Sequence, residues 1–146
     1  MGDAVRQWTV TAGAGGGLAE IVAAAETAQA ALEAALWGVI EAILGEADPA
    51  ADPPGTAAPL RATGSDHAGV FARLADALIG EIETADRQVR AVRVDGLLRR
   101  DERLLAWGYA FFDDAAPSGR AVGALEAIEV LEAEQDRVEI RATLRR

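Results

Sequence analysis

The segment TAQAALEAALWGVIEAIL, residues 27–44, decides the fold of this chain. Its large apolar residues recur at three- and four-residue spacing: Leu32, Leu36, Val39, Ile40 and Ile43. This spacing predicts an α-helix with one apolar stripe. Alanine, the strongest helix former, fills most of the remaining positions. Thr27 is suited to cap the first turn of the helix, and Gly45 to end it.

The segments before this helix predict two strands. Residues 18–25 are continuously apolar, which is typical of a buried strand. Residues 6–11 alternate between apolar and polar side chains, which indicates a half-buried strand. Between them, the GAGGG sequence of residues 13–17 predicts a loop. The rest of the chain is expected to cover the helix.

The middle of the chain predicts an irregular segment, a short strand and a second helix. Residues 46–58 are acidic and rich in proline, so we expect no regular structure there. A short strand follows at residues 60–63. Asp66 can cap a helix over residues 67–84, which carries its own apolar stripe.

The last third of the chain predicts strands. Residues 88–94 and 102–112 are rich in β-branched and aromatic residues, and Asp95-Gly96 is a hairpin-type turn signal. Within residues 102–112, we expect Trp107 to be buried or half-buried on a central strand and to pack near the helices. Residues 113–119 predict a loop. Residues 137–144 alternate regularly and form a strand after a turn at residues 135–136.

Residues 121–134 are ambiguous, because their composition favours a helix. A strand at this place would pair through a short turn with the strand that follows, and we therefore predict a strand. The resulting fold class is α+β, with two helices packed on one side of a mostly antiparallel sheet.

Composition limits the class of function. A chain of 146 residues with 51% hydrophobic content can bury one core, so we expect a single domain over residues 1–146. The net charge of −10 argues against direct nucleic-acid binding. The chain has neither Lys nor Cys, which excludes Schiff-base lysines, P-loop lysines and thiolate sites. Glu33, Glu41 and Glu46 interrupt the longest apolar runs, so we expect no membrane span and a cytoplasmic protein.

The candidate catalytic and metal-binding residues are isolated. His67 is the only histidine, and we expect it to be exposed in the first turn of the second helix. Neither Ser65 nor Ser118 lies in a nucleophile-elbow sequence. Asp113-Asp114 could bind a hard cation together with other carboxylates, although a solvated turn is the simpler interpretation. The GAGGG loop lacks the third glycine of a dinucleotide fingerprint. We therefore predict that this chain is not an enzyme and needs no cofactor.

One segment carries a concentration of positive charge. Six arginines occur within seventeen residues: Arg87, Arg90, Arg93, Arg99, Arg100 and Arg103. They could form a basic surface for RNA or for an acidic partner. Because Asp95, Asp101 and Glu102 lie among them, pairing with neighbouring carboxylates is the alternative.

Several segments of the chain are similar to one known family. Residues 11–15 match in part an opening His-Thr-Ala-Asp-x-Gly segment, and residues 26–40 have the small and apolar pattern of its first helix. Residues 106–108, Ala-Trp-Gly, match a recurring Ala-Trp-Gly, and residues 122–124 stand where the family has Val-Lys-Ala. With the order of predicted elements, these segments resemble the archease family.

The resemblance implies an α+β accessory protein that is not itself an enzyme. Archeases assist an RNA-splicing ligase by promoting its guanylylation and its repeated turnover. They use a cluster of acidic residues that holds a metal ion. The resemblance therefore implies a role in tRNA splicing or RNA repair, with an RNA-splicing ligase as the partner.

This chain departs from the family at the metal site. Val10 replaces the family's His, Gly13 its Asp and Gly123 its Lys, while Arg145 aligns with its last acidic residue. Hard cations need oxygen ligands, and a guanidinium would repel them. We therefore expect a degenerate site without metal. The alternative function is a protein-interaction module that kept the fold and lost ligase activation.

Overall fold

The computed structural model describes residues 8–12, 17–44, 47, 56–85, 88–113, 124–133 and 137–145. These residues form seven strands and two helices, in the order β1 (Trp8–Ala12), β2 (Leu18–Ala25), α1 (Ala28–Leu44), β3 (Thr56–Gly64), α2 (His67–Ala85), β4 (Gln88–Arg100), β5 (Arg103–Asp113), β6 (Ala124–Ala133) and β7 (Arg137–Arg145). The predicted α+β class is confirmed. None of the described helices is long and apolar enough to cross a membrane.

The strands form two sheets. Sheet A has the order β1-β2-β7-β6, and sheet B has the order β3-β5-β4. All pairings among the described strands are antiparallel, as predicted, but they are divided between two sheets instead of one. Both helices contact strands of both sheets: α1 contacts β1, β2, β7 and β4, whereas α2 contacts β3, β5 and β6.

Helix α1 is buried on nearly all sides. Its larger apolar residues are inaccessible to solvent, as the stripe predicted, but so are the alanines between them. Gly38 shows how closely α1 approaches sheet A, because a Cβ at this position would overlap the side chain of Ile21 on β2. A helix that is apolar all round is a core helix. The predicted single apolar stripe therefore understated how much of the surface of α1 is buried. The predicted cap is confirmed, because the amide of Ala30 donates to Oγ1 of Thr27 at 3.1 Å.

Helix α2 is amphipathic. One face is buried by Val70, Phe71, Leu74, Leu78 and Ile82. The opposite face exposes Arg73, Asp76 and Glu83. Asp66 caps the helix as predicted, with Oδ1 accepting from the amide of Gly69 at 2.8 Å.

Residues 124–133 form a strand, so the prediction against their helix propensity is confirmed. β6 pairs with β7 along its length, from Ala124 opposite Arg145 to Ala133 opposite Arg137. This pairing outweighs the intrinsic helix preference of these residues, which amounts to about 0.5 kcal/mol per residue. The predicted turn at residues 135–136 lies outside the described residues.

Two sequence predictions about sheet B were wrong. The irregular segment predicted over residues 46–58 ends earlier, because β3 already begins at Thr56 and includes Pro59. β3 is an edge strand, where a missing amide donor is tolerated. The hairpin turn predicted at Asp95-Gly96 is instead a β-bulge inside β4. The chain turns at Asp101, which has a φ of 57°.

Polar side chains of α1 bind the edge strands of both sheets. β4 has no strand on its outer side, and there Val94 donates its amide to Oε1 of Glu33 at 2.8 Å. The carbonyl of Val94 accepts from Nε2 of Gln29 at 3.2 Å. On sheet A, Nε1 of Trp8 in edge strand β1 donates to Oε1 of Glu41 at 3.2 Å. These bonds supply backbone and indole groups with partners that no neighbouring strand provides.

We expect Glu33→Ala to lower the free energy of unfolding by about 1–3 kcal/mol, because the part-buried amide of Val94 loses its acceptor. Glu33→Gln keeps an acceptor oxygen and should lie closer to the wild type. Urea unfolding measures the stability, and hydrogen exchange by NMR measures the Val94 amide directly. Unchanged protection of that amide in Glu33→Ala would contradict the assignment.

Candidate functional site

The central strand of sheet B has two very different sides. Toward the helices, β5 places Leu104, Ala106, Gly108, Ala110 and Phe112, all of them buried. Toward solvent it places Leu105, Trp107, Tyr109 and Phe111. We call this second side, with its neighbours on β3 and β4, the outer face of sheet B. At the centre of the strand, Ala106, Gly108 and Ala110 point inward while Trp107, Tyr109 and Phe111 point outward, which is the reverse of a usual core strand.

Strand register determines the neighbours of each aromatic ring. Trp107 lies opposite Arg61 of β3 and Gly96 of β4. A Cβ at Gly96 would overlap the indole, so the Trp107 ring lies directly over the glycine backbone. Tyr109 lies between Pro59 and Arg93 in the same way.

The outer face of sheet B holds the most exposed large apolar side chains of the described residues. Leu98 is 48% exposed, and Trp107 and Tyr109 are each 39% exposed. They border a groove of about 400 Å³ that is lined by Pro59, Leu60, Arg61, Leu98, Leu105, Trp107, Gly108 and Tyr109. Clustered apolar exposure of this kind marks an interaction site, whereas single exposed residues do not.

Arg93 is held in place on this face. Its guanidinium carbon lies 5.6 Å from the ring centre of Tyr109 and 5.4 Å from that of Phe111. It also forms two bonds to the carboxylate of Asp95, from Nε at 2.5 Å and from the terminal nitrogen at 3.2 Å. The hydrogen bond to Asp95 is the main cause that raises the pKa of Arg93 above its ordinary value. Arg93 therefore covers part of both rings.

The arginine segment divides into paired and unpaired residues. Arg90 binds Asp113 at 3.3 Å and Arg93 binds Asp95, so pairing with carboxylates describes these two. Arg99, Arg100 and Arg103 are exposed around the β4–β5 turn, and no described carboxylate pairs with them. Arg87 lies outside the described residues. A role of this segment as a contact surface stays a prediction.

Charge is distributed unevenly over the molecule. The described strands of sheet B and the β4–β5 turn carry six arginines and four carboxylates, a net charge of +2. The whole chain has a net charge of −10. Arg61 adds to the positive charge beside Trp107 without a described carboxylate partner. Sheet B is thus a positive surface on an acidic protein.

The outer face of sheet A is polar by comparison. Arg141 binds Oε2 of Glu139 at 2.7 Å, and Glu129 lies opposite it on β6. The hydrogen bond to Glu139 is the main cause that raises the pKa of Arg141. The polar outer face of sheet A shows that exposed aromatics are not a general feature of this fold's surface.

Two of the four positions expected to replace a metal site, Val10 and Arg145, are described, and both lie on sheet A. Arg145 pairs with Leu18 on β2 and with Ala124 on β6, at the end of the sheet where β2 begins. Val10 lies further along β1, partly buried against the core. Gly13 and Gly123 are outside the described residues. Val10 and Arg145 offer no oxygen ligand, so these two positions do not fit the metal site that the archease resemblance implies.

The other candidate residues do not converge. His67 lies in the first turn of α2 as predicted, and it is half-buried where we expected exposure. Ser65 is exposed, Asp113 pairs with Arg90, and Ser118 and Asp114 lie outside the described residues. Among the residues that the structure describes, no three histidine or acidic side chains come together as metal ligands.

Comparisons with known proteins support the fold. No protein-family model matches the chain, and no curated protein matches it. The solution structure of protein 1598 of Methanobacterium thermoautotrophicum, an archease-family structural target, superimposes with a TM-score of 0.71. The match covers 97% of this chain and 100% of that one, at 13% sequence identity. The fold is archease-like. At this identity, the similarity establishes the fold and not the activity.

Sequence reasoning misplaced the most informative residue of this archease-like domain. We expected Trp107 to pack near the helices, and it lies on the opposite face of β5. The alternation at the centre of β5 separates Ala106, Gly108 and Ala110 from Trp107, Tyr109 and Phe111. Because Leu104 and Phe112 lie on the same side as the small residues, this alternation alone did not identify the side that the helices cover.

We expect Trp107 to account for the solvent-accessible tryptophan fluorescence. Trp8 and Trp37 are 5% and 7% exposed and stack with ring centres 5.9 Å apart. Acrylamide should therefore quench the wild type strongly and Trp107→Phe only weakly. Trp8→Phe is the control and should keep the quenching. Equal quenching of the wild type and Trp107→Phe would show that Trp107 is buried.

Proposed function

We propose that this chain is a non-catalytic accessory protein that acts by binding an RNA-splicing ligase. The archease-like fold over 97% of the chain supports the choice of partner. The observation that carries the binding role is the outer face of sheet B, where Trp107, Tyr109 and Leu98 are exposed together. Aromatic residues and arginine are the types enriched at protein interfaces.

The position of this face suits a binding role. β5 is the central strand of sheet B, with β3 on one side and β4 on the other. Its inner side packs on α2, so the aromatic residues are presented by a rigid element of the core. Side chains held on rigid elements lose less conformational freedom on binding, which leaves more of the interaction energy for affinity.

A second candidate function is an interaction module that binds a partner but no longer activates a ligase. It is favoured by Val10, Gly13, Gly123 and Arg145, which replace the residues of the family's metal site. A guanidinium at position 145 would repel a divalent cation where the family has an acidic residue. The two candidates share a binding surface and differ in the consequence of binding.

The replaced residues predict that divalent cations do not stabilise the protein. A ligand that binds only the folded state raises the melting temperature, by linkage. We expect thermal melts with millimolar Mg²⁺, Ca²⁺ or Mn²⁺ to match melts with EDTA. Arg145→Asp is the matched variant, since it restores a carboxylate. A rise in melting temperature of the wild type with one ion, reversed by EDTA, would contradict the prediction.

The direct test of the proposed function uses the RNA-splicing ligase of the same genome. We expect the two purified proteins to co-elute in size-exclusion chromatography. An accessory protein should also raise the number of ligation turnovers per ligase molecule, whereas an interaction module should bind without this effect. A ligase that neither co-elutes nor responds in turnover would refute the accessory role and leave the interaction module with a different partner.

A further inference from the structure

We propose that the outer face of sheet B is the docking surface for a partner protein that presents an apolar side chain flanked by carboxylates. The identity of the partner as a ligase rests on the proposed function, but the chemistry of the docking segment does not. It is inferred from the groove beside Trp107, from the arginines around it and from the charge of the remaining molecule.

The groove selects an apolar side chain. Its walls are the aliphatic groups of Pro59, Leu98 and Leu105 around the indole of Trp107. Gly96 lies beneath the indole, so this ring rests on backbone and presents its other surface outward. An aliphatic or aromatic residue that enters here removes apolar area from water on both partners. Trp107 has the features of an interface hot spot, a large amphipathic side chain at the centre of a patch.

The surrounding charge selects carboxylates. Arg61 lies opposite Trp107 on β3, and Arg99, Arg100 and Arg103 lie around the nearby turn, all without a described carboxylate partner. Bidentate arginine–carboxylate pairs give both energy and orientation. The charge of the rest of the chain repels an acidic partner, so the positive sheet B is the surface on which such a partner can approach.

A second copy of this chain fits the surface less well. A face-to-face dimer buries the same face of both copies, so it would bring two surfaces of net positive charge together. Like charges brought together at an interface are unfavourable. The net positive charge of sheet B therefore argues for a different partner.

Single-stranded nucleic acid is also less suitable, although exposed aromatics on a sheet can stack with bases. Arg93 lies over Tyr109 and Phe111, which restricts access to their ring surfaces. The aliphatic side chains of Leu98 and Leu105 offer no polar contact to a phosphodiester backbone.

Four variants, each with one exposed residue substituted and the core unchanged, test this surface. Trp107→Ala removes the anchor, Leu98→Glu introduces a carboxylate at a 48% exposed position, and Arg61→Glu reverses the charge beside Trp107. Arg73→Glu is the matched control, because it makes the same charge change on the exposed face of α2. Urea unfolding checks that each variant is folded.

The first measurement is the Kd for the complex of the RNA-splicing ligase with the wild type and with each variant. We expect Trp107→Ala to weaken binding by at least about 30-fold, as for hot-spot residues. Leu98→Glu and Arg61→Glu should each weaken it by about 10-fold or more, and Arg73→Glu by less than about 3-fold. A ligase that binds the wild type and all three surface variants equally would overturn the docking surface while leaving the proposed function intact.

The second measurement is independent of the ligase. A phage-displayed library of random 12-residue peptides is selected on the wild type and counter-screened on Trp107→Ala. We expect enriched peptides with a large apolar residue next to Asp or Glu, and loss of their binding in Trp107→Ala. No enrichment, enrichment of basic peptides, or binding retained by Trp107→Ala would overturn the proposal.

Two further outcomes would assign the surface to another occupant. Sedimentation that shows a dimer abolished by Leu98→Glu would assign it to a second copy of the chain. Tight binding of a 20-nucleotide oligouridylate that is lost in Trp107→Ala would assign it to nucleic acid. Either result would overturn the proposal, whereas a monomer that does not bind the oligonucleotide supports it.

Discussion

The burial of α1 on nearly all sides is the constraint on which the rest of the structure depends. An α-helix that is apolar all round must be covered all round, and one sheet covers only one of its sides. Sheet A covers α1 with β1, β2 and β7, and sheet B reaches it through β4. The alanines of α1 and Gly38 permit the close approach, as the contact with Ile21 shows. The division of the strands into two sheets follows from this demand.

The same helix also provides hydrogen-bond partners for polar groups on edge strands of the two sheets. Each sheet has two edge strands, and unpaired edge groups that are shielded from water are costly. Gln29 and Glu33 lie one turn apart on α1, and both bind Val94 of edge strand β4. Glu41 binds the indole of Trp8 in edge strand β1. The few polar residues of an otherwise apolar helix therefore connect it to both sheets.

Local patterns predicted most elements, and non-local geometry explains the errors. Caps at Thr27 and Asp66 and the alternation of β7 depend on neighbouring residues, and they were predicted correctly. The Asp95-Gly96 signal was misread because a β-bulge and a hairpin turn use the same residue types, and only pairing with β5 distinguishes them. Of the candidate site, the sequence indicated the arginines but not the aromatic face, since strand alternation does not say which side the helices cover.

Stability alone does not explain the outer face of sheet B. Glycine in a strand interior weakens the strand, and an exposed tryptophan forgoes much of the benefit of burial. An aromatic ring over a strand glycine restores part of the lost packing, which describes Trp107 over Gly96. Trp107 is nevertheless exposed together with Leu98 and Tyr109, and an exposed apolar cluster of this kind promotes aggregation. The polar outer face of sheet A shows that this fold can be built without such exposure. The combination of Trp107 and Gly96 is therefore best understood as a shaped and rigid contact surface, whose requirements compete with stability.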